Sequence, residues 1–216
     1  MYLPKHFSEP RKEVLHKIMM ENPFGTLVTY GQSGLDANHL PFELDPDAGS
    51  LGLLSAHASK NNPILNEIKN LDEVLVIFKA GNAYISPTWL PSKKETERQV
   101  PTWNYVVVHA KGRIRFHDDE TRARKLVAKL TKRHEASMDT PWKISDAPKE
   151  YVSELLSQIF LIEIEITDLV GKFKLNQDDG ARDMIGAGTI LIERGEQAIG
   201  ASMIAEAKKR NSQTSG

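Results

Sequence analysis

Residues 159–170 read IFLIEIEITDLV, with Phe160, Ile162, Ile164 and Ile166 alternating against Glu163 and Glu165. A period of two places the apolar side chains on one face and the acids on the other, so this segment is a half-exposed antiparallel strand. The same reading extends upstream through FGTLVTY at 24–30, LDANHLPFEL at 35–44, LGLLSA at 51–56, EVLVIFK at 73–79 and NAYISP at 82–87, punctuated by turn signals at Gly31 to Gly34, Pro46 to Gly49 and Gly81. Residues 103–116 form a longer strand, with Val106 and Val108 on one face and Trp103, Tyr105 and His109 on the other. Many short strands joined mainly by turns imply a closed or partly closed antiparallel barrel rather than a doubly wound parallel sheet.

Helices interrupt this pattern at a few places. One is expected at about 9–20, with Ser8 as its cap, and a short one after Asn61 or Asn62 with Pro63 in its first turn. A longer one runs from a cap at Asp118 or Asp119 to about Glu135, carrying Ala123, Leu126, Val127 and Leu130 as its apolar stripe. Another follows Pro148, and a helical extension occupies about 178–210, ending in a tail whose last few residues are expected to fray. The chain is read as a single α+β domain, mainly β, spanning 1–216.

Composition narrows the chemistry. The chain has no cysteine, which excludes disulfides, thiolate metal sites and thiol nucleophiles, so redox activity requires a bound cofactor. No run approaches the ~20 apolar residues of a membrane span, and the opening MYLPKHFSEPRKEV lacks the apolar core of a secretory signal, making the cytoplasm the simplest address. A net charge of −1 gives no general attraction to nucleic acid. Basic residues cluster locally at Arg122, Arg124, Lys125, Lys129, Lys132 and Arg133, read as a solvated helix face in preference to a DNA surface. Dinucleotide and P-loop glycine patterns are both missing.

Two segments carry candidate chemistry. In LLSAHASKNNP, residues 53–63, a strand is expected to end at Ser55, followed by His57, Ser59 and Lys60 before a short helix. Two hydroxyls and a cation suit a phosphate, aided by nearby backbone N–H groups; the alternative is a polar turn that merely caps the helix. Around the exposed loop 91–101, Tyr84, Trp89, Trp103 and Tyr105 gather much of the aromatic content, suited to stacking on a flat heterocycle, to a dimer interface or to an ordinary core. His39, His57 and His109 lie in or beside strands, yet no paired metal-binding spacing supports a metal, and G-x-S-x-G is missing.

Taken in order, MYLPKHF, NPFGTLVT, HLPFEL, the segment from His57 to Pro63, AYISPTW, VPTWNYVVVH and KFKLNQ resemble the PaiB family of FMN-binding split-barrel proteins over nearly the whole chain. The resemblance implies an antiparallel split β-barrel, FMN as cofactor, a homodimer with the flavin at its interface, and a role as a negative transcriptional regulator of protease production and sporulation. It further implies that Asn38, His39 and Leu40 pass along the flavin, that Ser55, Ser59 and Lys60, with His57 beside them, hold the phosphate, and that Thr102, Trp103 and Asn104 lie next to the ring. Lys174, Asn176 and Gln177 then approach from the partner subunit. The family usually carries arginine where Lys60 stands, so the charge is kept and the bidentate fork is lost. The competing readings are an FMN-dependent oxidoreductase acting on a small molecule, and a haem-binding split barrel using one of the three histidines.

Overall fold

The computed structural model describes residues 1–214; the terminal residues expected to fray fall partly outside that range. Eight strands follow one another as β1 (Ser8–Glu9), β2 (Phe24–Gly31), β3 (Gly34–Pro41), β4 (Glu43–Asp45), β5 (Leu53–Ser59), β6 (Glu73–Ile85), β7 (Thr102–His117) and β8 (Ile159–Lys174). Seven helices accompany them: α1 (Lys12–Glu21), α2 (Ile64–Glu67), α3 (Lys93–Thr96), α4 (Glu120–Glu135), α5 (Lys149–Ser157), α6 (Ala181–Glu193) and α7 (Gln197–Thr214). The sheet order is β3-β2-β6-β7-β8-β5-β4, with β1 on β8. Pairing is antiparallel at β2 with β3, at β2 with β6, at β4 with β5 and at β5 with β8. The chain divides into two compact units, one of residues 1–22, 78–108 and 170–216, the other of 23–77 and 109–169.

In the first unit, α6 and α7 form an antiparallel pair over a core of Ile85, Leu90, Val106, Leu175, Met184, Leu191, Ile199 and Met203. The helices approach closely where Gly188 meets Gly200: a Cβ at position 200 would come within 2.6 Å of the Gly188 carbonyl oxygen, so only glycine permits that crossing. The second unit holds the β2–β3 hairpin, the β4–β5 pair and the α4–α5 pair, whose Leu126, Leu130, Val152 and Leu156 pack with Leu161 of β8. In β5 the alternation is strict: Leu54, Ala56 and Ala58 are buried, while Ser55, His57 and Ser59 share the opposite face.

Several expectations are corrected. The helix expected at 9–20 begins at Lys12, because Ser8 and Glu9 pair with Lys172 and Gly171 of β8 instead of capping it. Gly81 makes no turn; β6 runs unbroken from Glu73 to Ile85, and the missing side chain admits the backbone of α7, with Ile199 N 3.3 Å from where a Cβ would stand. The strand expected to end at Ser55 continues through Ser59, since β8 pairs with it along its whole length. Residues 93–96 in the loop form the single turn α3. At the α4 start Asp119, not Asp118, accepts the Arg122 N–H as the cap.

Candidate functional site

The predicted cofactor residues fall into two clusters, one in each unit. In the second unit, β3 and the turn after β5 are tied together by a side-chain hydrogen bond from Asn62 Nδ2 to Asn38 Oδ1 of 2.7 Å. Asn62 also accepts the Ile64 N–H through its Oδ1, capping α2 as the sequence suggests. His39 is exposed; its Nδ1 lies 3.1 Å from Thr26 Oγ1 across the hairpin and its ring stacks on Phe24. Leu40 follows it on the partly covered end of β3.

The three phosphate candidates do not lie together. Ser55 and Ser59 are four residues apart on one straight strand, hence about 13 Å at ~3.3 Å per residue, too far to grip one phosphate. Ser55 stands in register between Glu43 of β4 and Glu163 of β8. Both carboxylates are held by α4, Glu43 by Lys129 at 3.0 Å and Arg133 at 2.9 Å and Glu163 by Arg122, and Glu163 also meets His117 at the end of β7. Ser55 lines a cavity of about 260 Å3 with Arg122, Lys125 and Glu163, a polar neighbourhood separate from the turn.

At the turn itself, the backbone donors counted on for an anion are already engaged. The Lys60 N–H bonds Gln158 O, the Asn61 N–H bonds Ser59 Oγ, and the Asn62 N–H bonds Ser59 O. What remains is the Ser59 hydroxyl proton and the Lys60 ammonium. That ammonium pairs with Asp118 at 2.6 Å, an acid the sequence offered only as a helix cap. An ammonium has three donors, so Asp118 leaves capacity for a second acceptor, at the cost of a nearby negative charge. His57, on the same face as Ser59, is half-buried with a buried Nδ1 that has no hydrogen-bond partner among the described residues. Burial holds its imidazole below the usual histidine range, and burial likewise lowers His109.

The first unit brings its six predicted residues together within one chain: Lys174 and Asn176, expected from the partner subunit, bond Thr102 and Asn104 of their own. Lys174 Nζ donates to Thr102 Oγ1 and, at 2.9 Å, to the Trp103 carbonyl; burial lowers its pKa from the ordinary lysine value. Trp103 is exposed, donates its indole N–H to Asn82 Oδ1 and meets Tyr84 edge to face, with Tyr84 in turn against Trp89. Asn104 is fully buried and donates to Asn176 Oδ1 at 2.5 Å, while its own Oδ1 has no partner among the described residues. Asn176, in the left-handed region at φ 63°, passes the network on to Asp179 Oδ2. Gln177 is wholly occupied by the local backbone, accepting from Leu175 N and donating to Phe173 O. The guanidinium of Arg210 donates to the carbonyls of Gln177 and Asp179, so the end of α7 locks this turn.

Within the first unit, the buried Asn104 Oδ1 without a partner among the described residues and the Lys174 ammonium held by Thr102 Oγ1 and the Trp103 carbonyl are an acceptor and a donor of the kind a flavin's polar edge takes. Among the described residues no group of three or more metal-ligating side chains is assembled, and no helix is long and apolar enough to cross a membrane.

Comparison with solved structures defines the fold class. The FAD and heme binding protein from Mycobacterium smegmatis aligns with a TM-score of 0.56 at 14% identity, over 78% of this chain and 73% of that one. The architecture is the split-barrel fold of that group, with its multi-stranded antiparallel sheet. In sequence, the model of the family described as "Putative FMN-binding domain" matches residues 1–168, and the chain belongs to that family. Protease synthase and sporulation protein PAI 2 of Bacillus subtilis is 33% identical over 186 residues, covering 85% of each chain. An uncharacterized protein of Emericella nidulans is 34% identical over 221 residues, covering 86% of this chain and 88% of its own.

Proposed function

We propose that this chain is an FMN-binding flavoprotein that moves electrons to or from a small molecule. The observation that carries the reading is Lys174, a partly desolvated cation fixed by Thr102 and the Trp103 carbonyl beside an exposed aromatic platform. A bound flavin supplies hydride and electron transfer, and the protein's part is to orient it and set its electrostatics. A fixed ammonium near the ring stabilises the negative charge that reduction adds. Ser59 and Lys60 are assigned to the phosphate, His57 and Asn38 to its surroundings, and Thr102, Trp103 and Asn104 to the ring. Asn176 and Gln177 are assigned to holding Asn104 and Lys174 in place, as their hydrogen bonds support.

Homodimerisation belongs to the same proposal. Tyr30 and Leu35, cross-strand partners at the turn of the β2–β3 hairpin, are 76% and 78% exposed, and Phe24 at its other end 68%, leaving bare apolar side chains along an edge hairpin that suit a second copy. Light scattering at micromolar concentration is expected to give twice the chain mass.

The regulatory reading rests on the likeness to PAI 2. Its direct DNA-binding form is disfavoured by the basic face of α4, where Arg122, Arg124, Lys129 and Arg133 are each paired with a glutamate of this chain. The absorption spectrum of freshly purified protein, followed by mass identification of what denaturation releases, tests the cofactor. Flavin bands and the mass of FMN support the proposal; a haem Soret band, or no uptake of added FMN, overturns it. Bleaching by NAD(P)H supports the electron-transfer role, whereas a sequence-selective DNA shift without bleaching favours the regulator.

A further inference from the structure

The second unit contains a groove that none of the flavin argument uses. The C-terminal half of α4 and the segment 136–144 line an open groove of about 460 Å3, within the range of small-molecule sites, and its wall is nearly all carbon. Ala128 and the Thr131 side of α4 form the floor, Pro141, Trp142 and Ile144 the opposite wall. Of the lining residues Glu135 alone is acidic, and its carboxylate accepts the Trp142 backbone N–H at 2.9 Å, tying the following loop to the end of the helix. Lys132 and Lys143 stand at the rim, and among the described residues neither ammonium pairs with a carboxylate. Arg122, Arg124, Lys129 and Arg133 of α4 are each paired with a glutamate, whereas Lys132, like Lys125 beside the separate Ser55 cavity, has no carboxylate partner among the described residues, and Lys132 stands where the apolar groove opens.

We propose that this groove binds a small organic anion with an apolar body and a single charged head, such as a medium-chain or aryl carboxylate. The body fills the space between α4 and Trp142, displacing water from carbon surface, and the head meets Lys132 and Lys143. The site is independent of the flavin assignment, since no residue of it belongs to either cofactor cluster.

Isothermal titration of the full chain with decanoate tests the idea. Saturable binding of one decanoate per chain is expected, with decanol at least about tenfold weaker because it lacks the charge. The double variant Lys132→Glu/Lys143→Glu, whose positions are at the surface, is expected to lose about tenfold or more in decanoate affinity while keeping its unfolding midpoint and its FMN affinity. Ala128→Trp fills the floor and is expected to abolish binding; should it disturb α4, the charge-reversal pair still decides. No binding by the wild type, equal binding of decanol and decanoate, or unchanged binding in the charge-reversed variant overturns the proposal.

Discussion

The polar cluster around Asn104 and the polar turn around Lys60 contain similar residue types under opposite conditions. Asn104, Asn176 and Gln177 are buried, and nearly every polar atom among them is committed to a neighbour within the first unit. Ser59 and Lys60 are exposed, and Lys60 is held by one carboxylate at the surface. Burial makes an unmade hydrogen bond expensive, so the first cluster is fixed by the fold and positions Lys174; the second is cheap to rearrange and open to a ligand. A residue's type therefore does not settle whether it builds the scaffold or meets a ligand; its solvent exposure and existing partners do.

This contrast breaks most readily at Asn104. Replacement by Ala leaves Asn176 Oδ1 without its buried donor and opens a small void, and is expected to cost about 2–4 kcal/mol in urea unfolding. A double-mutant cycle with Asn176→Ala is expected to show strong coupling; additive costs would mean the two amides do not act together. Glu43→Ala, which strips Lys129 and Arg133 of their shared partner, is expected to cost about 2 kcal/mol, and equal stability at high and low salt would fit a packing effect instead.

At the exposed turn the expected effects are smaller and concern binding. Asp118→Asn frees Lys60 from its carboxylate and is expected to tighten FMN about threefold with no measurable loss of stability. Weaker FMN binding in this variant would mean that Asp118 orients Lys60 usefully. The mildest expectation concerns pH. Burial depresses His57 and His109, so the unfolded chain takes up protons before the folded one does. Their contribution is complete above the ordinary histidine pKa near 6.5 and is lost as pH falls from there toward the depressed folded values. Stability measured across that window should decline less steeply in His57→Gln, and an unchanged slope would remove His57 from the account.

Much of the fold was legible because its signals are local. The Phe160 to Ile166 alternation, the Asn62 cap and the Leu126–Leu130 stripe each depend on neighbours a few residues away, and each stands where expected. The errors share a different cause. Gly81 reads as a turn until α7 is known to need the space, and Ser8 reads as a cap until β8 offers it a ladder. The site shows the same division. The resemblance placed Thr102 and Asn104 beside the ring and brought Lys174 and Asn176 from the partner subunit; their direct bonding within one chain, like the capture of Lys60 by Asp118, depends on partners 58 or more positions away. No spacing rule announces such pairs.

The assignment of the turn to a phosphate is tested most directly by titrating FMN and riboflavin, which differ only in that group, into wild type and Lys60→Ala. FMN is expected to bind at least about tenfold tighter than riboflavin, and the substitution to remove about 1–3 kcal/mol from FMN alone, closing the gap. Equal affinity of the two flavins for the wild type, or a gap that survives without Lys60, would contradict it.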